Sequence, residues 1–330
     1  MSALLRVELT RLRWRRAVLL LLLAAVVVPA VIAVATIWNT RPPSAEELAF
    51  IDEQVAQERA RPEVQRDLQG CLDDPGEWGI AESEDVRAMC EQYVLPQPEW
   101  FGSYTPLDLR EQLEGSGLGV VTVVALLMLL AGATFVGHDW NSGSMSNQLL
   151  FESRRGRIWA AKAVVVTAVA FVTSALVSAA YWLVLWAVAR GRDLPSDTGL
   201  LRDCLELGLR GAVLAAAAAL GGFAITMLFR STVATIGVLF ALSVGAGLLI
   251  AVLGLDGRWQ PATNLEAFVA DGATYYVDPP SRCFSSPDDE YDPECNGERE
   301  LSLTHGAVYY GVLVAGAAIA GRGNRLGGAL

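Results

Sequence analysis

Residues 13–38, RWRRAVLLLLLAAVVVPAVIAVATIW, decide the fold, because three arginines precede a long and almost purely apolar run. A helix of about 20 apolar residues crosses the hydrocarbon core of a bilayer, where only helices and closed barrels satisfy the backbone. The run therefore predicts a membrane-spanning helix at 17–38. A secretory signal peptide is the competing interpretation, but the apolar run is too long for one.

Five further segments have the same character, and the chain as a whole is unusually apolar. Of its 330 residues 53% are hydrophobic, and its mean hydropathy is +0.37. Such values exceed those of ordinary soluble domains. We therefore expect an all-α membrane protein with six transmembrane helices, at 17–38, 116–137, 163–189, 211–229, 233–255 and 303–321.

The charged residues divide the connecting segments into two groups. Segments 1–16, 138–162, 230–232 and 322–330 hold 12 basic and 3 acidic residues, whereas segments 39–115, 190–210 and 256–302 hold 13 basic and 33 acidic residues. Short cytoplasmic segments of membrane proteins are enriched in Arg and Lys. We therefore expect a multi-pass protein of the cell membrane, with both termini in the cytoplasm and the acidic segments outside.

Two of these segments are expected to form structure of their own. In 1–16, leucines alternate with arginines as in an amphipathic helix lying on the inner membrane surface, although a simple basic anchor would look similar. The extracellular segment 39–115 is long enough to form a small helical domain, with helices expected at 45–59 and 82–93. Segment 190–210 is expected to be a short extracellular loop.

The cysteines are expected to form disulfides outside the cell. Cys71 and Cys90 lie in the first long outer segment, and Cys283 and Cys295 lie in the second. Four cysteines allow three pairings, and we favour the two bridges within segments because partners near in sequence meet most easily. Cys204 is left over as a buried thiol. A zinc site would need CxxC pairs or a Cys/His cluster, which the sequence lacks, so no metal site is expected.

The predicted spans contain almost no ionisable residues. Arg210 lies at the outer end of the fourth span, where its side chain can reach the interface. A proton- or sodium-coupled carrier would place an acid or a histidine near the midplane. An intramembrane enzyme is also disfavoured, because Ser174 and Ser178 have no basic partner nearby in sequence. We therefore expect a transport protein, not an enzyme, with an external source of energy.

The connection between the second and third spans, GHDWNSGSMSNQLLFESRRGR at 137–157, has the pattern of a helix with a docking face. Met145, Leu149 and Leu150 form a small apolar stripe. The basic residues near this side of the membrane are expected to anchor it to anionic lipid head groups. They are Arg11, Arg13, Arg15, Arg16, Arg154, Arg155, Arg157 and Lys162.

At these residues the chain resembles the type-two ABC-transporter permeases. Their second-to-third connection has an acid, a Gly-Thr-Leu-like step, a Leu pair, a basic run and a Lys, in the order shown here by Asp139, Gly143-Ser144-Met145, Leu149-Leu150, Arg154-Arg155 and Lys162. Residues 258–265 resemble the segment after span five, and 264–270 are expected to form a partly re-entrant helix. The resemblance covers the six-span plan. Two features depart from it: Phe151-Glu152-Ser153 replaces the usual Pro, and the first outer segment is longer.

The resemblance implies a function in ATP-driven export. It makes 138–162 a cytoplasmic loop with a coupling helix, whose ATPase-docking residues are Asp139, Gly143, Ser144, Met145, Leu149 and Leu150. The chain has no GxxxxGK[ST] phosphate loop, so ATP and Mg²⁺ are expected in a partner ATPase subunit and no cofactor in this chain. Other expected partners are a second permease copy or a related permease, and membrane lipids, but not nucleic acid.

Two functions follow as expectations. The first is export of a hydrophobic or amphipathic substrate, such as a lipid, antibiotic or peptide, by alternating access. The second, from another class, is a membrane sensor or scaffold whose extracellular domain binds a ligand.

Overall fold

The computed structural model describes residues 2–80, 85–102, 104–151, 154–278, 283 and 293–323. The protein is mostly helical (82%), and within these described residues six helices are long and apolar enough to cross a membrane, in agreement with the prediction. The helices are α1 Ser2–Arg13, α2 Arg16–Asn39, α3 Ala45–Arg59, α4 Pro62–Asp73, α5 Val86–Val94, α6 Leu109–Gln112, α7 Leu118–Asn141, α8 Ser144–Phe151, α9 Arg155–Gly191, α10 Thr198–Phe229, α11 Thr232–Val252, α12 Pro261–Val269 and α13 Leu303–Gly323; the strands are β1 Ala273–Tyr276 and β2 Glu298–Leu301. The six long apolar helices are α2, α7, α9, α10, α11 and α13.

The chain divides into two compact units, residues 1–35 with 108–330, and residues 36–107. In the first unit α10 packs against α7, α9 and α13. Close approach of α7 and α10 depends on glycine, because a Cβ at Gly132 would collide with the carbonyl of Ala219, and one at Gly222 with the carbonyl of Leu129. Small residues of this kind allow helices to pack closely in membranes.

The packing predicts opposite outcomes for two neighbouring glycines. Gly222→Ala is expected to destabilise the protein by about 1–3 kcal/mol, because the added methyl group meets the backbone of α7, which cannot move without separating the helices. Gly221→Ala is the control, since its Cβ would enter open space and alanine favours the helix. Denaturant unfolding in mixed micelles measures both. Equal stability of the two variants would show that Gly222 is not a close contact.

Two long helices begin earlier than the predicted spans. α9 begins at Arg155, before the predicted span 163–189. α10 begins at Thr198, before the predicted span 211–229, so the predicted loop 190–210 is wrong over most of its length. The early start of α10 has a local cause: the Asp197 side chain accepts a hydrogen bond from the Leu200 N–H at 3.0 Å, which caps the helix and lowers the pKa of Asp197. Hydropathy marks the apolar part of a helix, but the helix continues into polar sequence.

Segment 256–302 contains a small sheet that the all-α prediction missed. β1 and β2 pair antiparallel, with Ala273 opposite Leu301 and Tyr276 opposite Glu298. α12 covers much of the stretch that was predicted as a partly re-entrant helix, and it packs against α13. This approach is close, because a Cβ at Gly306 would lie 2.6 Å from the carbonyl oxygen of Asn264.

The 36–107 unit is helical and has a core of its own. α3 has the predicted bounds, and its first turn carries a capping box in which Ser44 and Glu47 bond each other's backbone N–H. α5 was predicted at 82–93 and is observed at Val86–Val94, with 81–84 outside the described residues. α4 was not predicted. Buried Cys71, Ile80 and Cys90 form the core between these last two helices.

Both predicted disulfides are present. Cys71 bonds Cys90 and Cys283 bonds Cys295, while Cys204 is a buried free thiol. Each bridge joins two positions within one segment, as expected from their nearness in sequence.

Candidate functional site

Four charged side chains meet inside the first unit, at the end of the bundle where α7 ends and α9 begins. They are Glu8, Arg15, Asp139 and Lys162, called here the charge cluster. The Lys162 Nζ lies 2.6 Å from the Glu8 carboxylate and 2.7 Å from that of Asp139. The Arg15 guanidinium pairs with the other oxygen of Asp139 and also donates to the carbonyl of Phe135. The charge cluster thus joins α1, the start of α2, α7 and α9.

The charge cluster is buried and its charges balance. The side chains of Lys162 and Asp139 are 0% and 1% exposed, and that of Glu8 is 4% exposed. Two acids face two bases, so each buried charge has an opposite neighbour, which is the condition under which such burial is tolerated. Phe135 completes the site, because its ring lies 4.8 Å from the Arg15 guanidinium carbon and 5.3 Å from the Lys162 Nζ.

The short helix α8 is attached directly to the charge cluster. The Ser144 hydroxyl, in its first residue, donates to the Asp139 carboxylate at 2.6 Å. Gly143 permits the sharp turn from α7 into α8, since its φ of +69° lies in the left-handed region. Met145 is 1% exposed and packs in a core with Leu12 and Phe135. One side of α8 is therefore fixed to the bundle.

These contacts change the predicted docking face. Asp139 and Met145 are buried, and the Ser144 hydroxyl donates to Asp139, so the charge cluster and the core already use these three side chains, and ATPase docking at them stays a prediction. Leu150 is 81% exposed and Gly143 is exposed. The side chain of Leu149 lies outside the described residues. Of the predicted apolar stripe, Leu150 is the described member that is available to a partner.

The predicted basic anchors also separate into two kinds. Arg13, Arg16, Arg154, Arg155 and Arg157 are exposed, and Arg11 is partly exposed at 3.5 Å from Glu8. Lys162 and Arg15 are not surface anchors, which corrects the prediction for both. Their partners Glu8 and Asp139 lie on other helices, and the ion pairs hold both basic side chains inside the bundle.

Two members of this site, Glu8 and Phe135, were missed by reasoning from the sequence. Glu8 is the only acid in residues 1–16, and it shares one helical face with Leu5 and Leu12 at spacings of three and four. Phe135 lies one turn before Asp139 on α7. A lone acid on an apolar helix face is a signal for a buried ion pair, because an unpaired carboxylate there would be costly.

The charge cluster links helices and leaves none of its four side chains without a partner. Among the residues that the structure describes, no group of three or more His, Cys, Asp and Glu side chains has an arrangement suited to a metal ion. A scan against protein-family models and searches of curated proteins and of solved structures find nothing that matches this chain.

Proposed function

We propose that this chain is the membrane-spanning permease subunit of an ATP-driven ABC exporter, working with a separate ATPase subunit. The observation that carries the proposal is the way in which α8 is attached to the bundle. Its inner side is hydrogen-bonded to the charge cluster, whereas Leu150 on its other side is exposed. A partner that displaces α8 therefore pulls on Asp139, and through it on Lys162 in α9 and Arg15 at α2.

This linkage suits alternating access. ATP-driven closure of the partner subunits would move α8, and the ion pairs would pass the movement to three long helices at once. Packed interiors respond to such displacements by switching between discrete arrangements. Chemistry by this chain is not required.

The charge distribution supports the orientation that this function needs. α1, α8 and the start of α9 belong to the segments with 12 basic and 3 acidic residues, and short segments of this kind stay in the cytoplasm. In the proposed orientation α8 meets an ATPase on the side of the membrane where ATP is found, and the two disulfides lie outside.

Leu150→Asp tests the docking surface. The carboxylate would have to be desolvated at an apolar contact, so we expect association with the proposed ATPase subunit to weaken by about tenfold or more. The measurement is co-purification of the two subunits from membranes, followed by the rate of ATP hydrolysis in proteoliposomes.

The matched control is Leu72→Asp, which makes the same exchange at an exposed leucine of the 36–107 unit. It should leave association unchanged. If Leu150→Asp associates as well as the unchanged protein, the docking assignment is wrong. If no ATP-binding subunit co-purifies with the unchanged protein, the proposed function itself fails.

A second candidate is a membrane sensor or scaffold with a ligand-binding outer domain. The observation that favours it is the 36–107 unit, which has its own core and its own disulfide and is larger than a simple connection needs. Absence of ATPase association together with ligand binding by this unit would favour the sensor.

A further inference from the structure

The 36–107 unit contains an open cleft of about 660 Å³. This volume is in the range of sites for small organic ligands. Four aromatic side chains line it, contributed by the last turn of α2, by α3 and by the stretch that follows the short turn Pro98–Trp100: Trp38, Phe50, Phe101 and Tyr104. Trp38 and Phe50 are 64% and 61% exposed, so the Phe50 ring and the side of the Trp38 ring that Arg41 does not cover are open to a ligand.

The charges at the cleft are not balanced. Three carboxylates, Glu47, Asp52 and Glu99, line it together with one cation, Arg41. Arg41 is already engaged, since it pairs with Glu47 at 3.1 Å and lies over the Trp38 ring at 4.7 Å. Hydrogen bonds from the Ser44 backbone and hydroxyl, together with Arg41, lower the pKa of Glu47 and keep it ionised.

Two carboxylates therefore remain to attract a ligand. Within the described part of the chain, Asp52 and Glu99 have no hydrogen-bond or ion-pair partner for their side chains, although both line the cleft. Open aromatic faces carry negative potential and attract cations, preferentially those that are weakly hydrated. Carboxylates beside them add to the same preference.

We infer that this cleft binds an amphipathic organic cation, such as a quaternary or protonated amine that carries apolar groups. The aromatic rings contact the apolar groups and the charged centre, and Asp52 and Glu99 complement the positive charge. An anion of the same size and shape is repelled. The inference deepens the proposed function by naming a substrate class, and the sensor alternative would use the same ligand.

One wall of the cleft is closely packed. Gly102 lies against Ile51, and a Cβ at this glycine would come within 2.5 Å of the Ile51 Cδ1. Both residues line the cleft, so backbone and side chain are in close contact there.

The test uses two probes that differ mainly in the sign of their charge, tetraphenylphosphonium and tetraphenylborate. Binding to the full chain in nanodiscs of zwitterionic lipid is measured by equilibrium dialysis, with empty nanodiscs as the blank. We expect saturable binding of the phosphonium and none of the borate. Equal binding of both ions, or binding of neither, would overturn the inference.

Variants locate the binding. Asp52→Asn with Glu99→Gln should weaken phosphonium binding about tenfold, because two carboxylates close to the cation are neutralised. Phe50→Leu should weaken it roughly threefold, because the bulk stays but the aromatic face is lost. The matched control, Glu63→Gln with Asp67→Asn, neutralises two exposed acids of α4 and should leave binding unchanged. Unchanged binding in the Asp52/Glu99 variant would place the ligand elsewhere and overturn the assignment.

The two proposals can fail separately. Phosphonium binding without ATPase association would remove the transporter and keep the cation site. ATPase association without saturable phosphonium binding would keep the permease and remove this substrate class.

Discussion

Replacing Lys162 by Met is expected to lower the free energy of unfolding by about 3–5 kcal/mol, because Glu8 and Asp139 then lose a shared cation at a buried position. Methionine has a similar length and no charge, so the change removes the ion pairs with little change in volume. Arg15 still pairs with Asp139, whereas Glu8 keeps only the longer contact with the partly exposed Arg11 at 3.5 Å, so Glu8 loses more of its stabilisation. The measurement is denaturant unfolding in mixed micelles followed by tryptophan fluorescence.

Arg157→Met is the matched control, since Arg157 is exposed on the same helix, one turn before the buried stretch that contains Lys162. Its expected effect is within about 0.5 kcal/mol, as for other surface substitutions. If Lys162 were a lipid anchor, both variants would behave alike. Adding Glu8→Gln to Lys162→Met should restore part of the lost stability, because it removes a buried acid whose remaining contact is the 3.5 Å one with Arg11. No recovery would contradict the pairing of Glu8 with Lys162.

Removing the first disulfide with Cys71→Ala and Cys90→Ala is expected to destabilise the 36–107 unit by about 3 kcal/mol. The bridge joins positions 19 residues apart, and a closed loop of this length constrains the unfolded chain by about that amount. The local core has few members to compensate, since Cys71 and Cys90 are themselves two of its three buried residues. Hydrogen exchange of the amides in α4 and α5 should become faster by about a hundredfold.

The control is the second bridge. Cys283→Ala with Cys295→Ala removes a disulfide from the other unit and should leave exchange in α4 and α5 unchanged. Slow exchange retained without the first bridge would show that the packing of α4 on α5 is sufficient by itself.

The approximate positions of the long helices could be predicted because each apolar run by itself indicates a membrane-spanning helix. α2 is almost purely apolar along its length, so it can be recognised without reference to any other part of the chain. α3 has the predicted bounds, and its beginning is fixed locally by the capping box of Ser44 and Glu47. α4 and the sheet were missed because α4 is polar and each strand has only four residues.

The site was harder to predict because its contacts join distant positions. Lys162 and Glu8 are 154 residues apart, so nothing near either one shows that they pair. Met145 has the same spacing along α8 whether it faces a partner or the core, and only the packing of α8 against α7 decides between the two. The sequence located the segment that matters but could not show which of its side chains face inward.

Burial of Lys162 also gives the protein a chemical probe of its own state. It is the only lysine in the chain, so the sequence has a single ε-amine, and that amine is enclosed with its two carboxylate partners. An acylating reagent should leave it unmodified for as long as the helices stay closed around it. The rate of acylation at Lys162 would then measure, without any introduced label, how often the contact between α1, α7 and α9 opens.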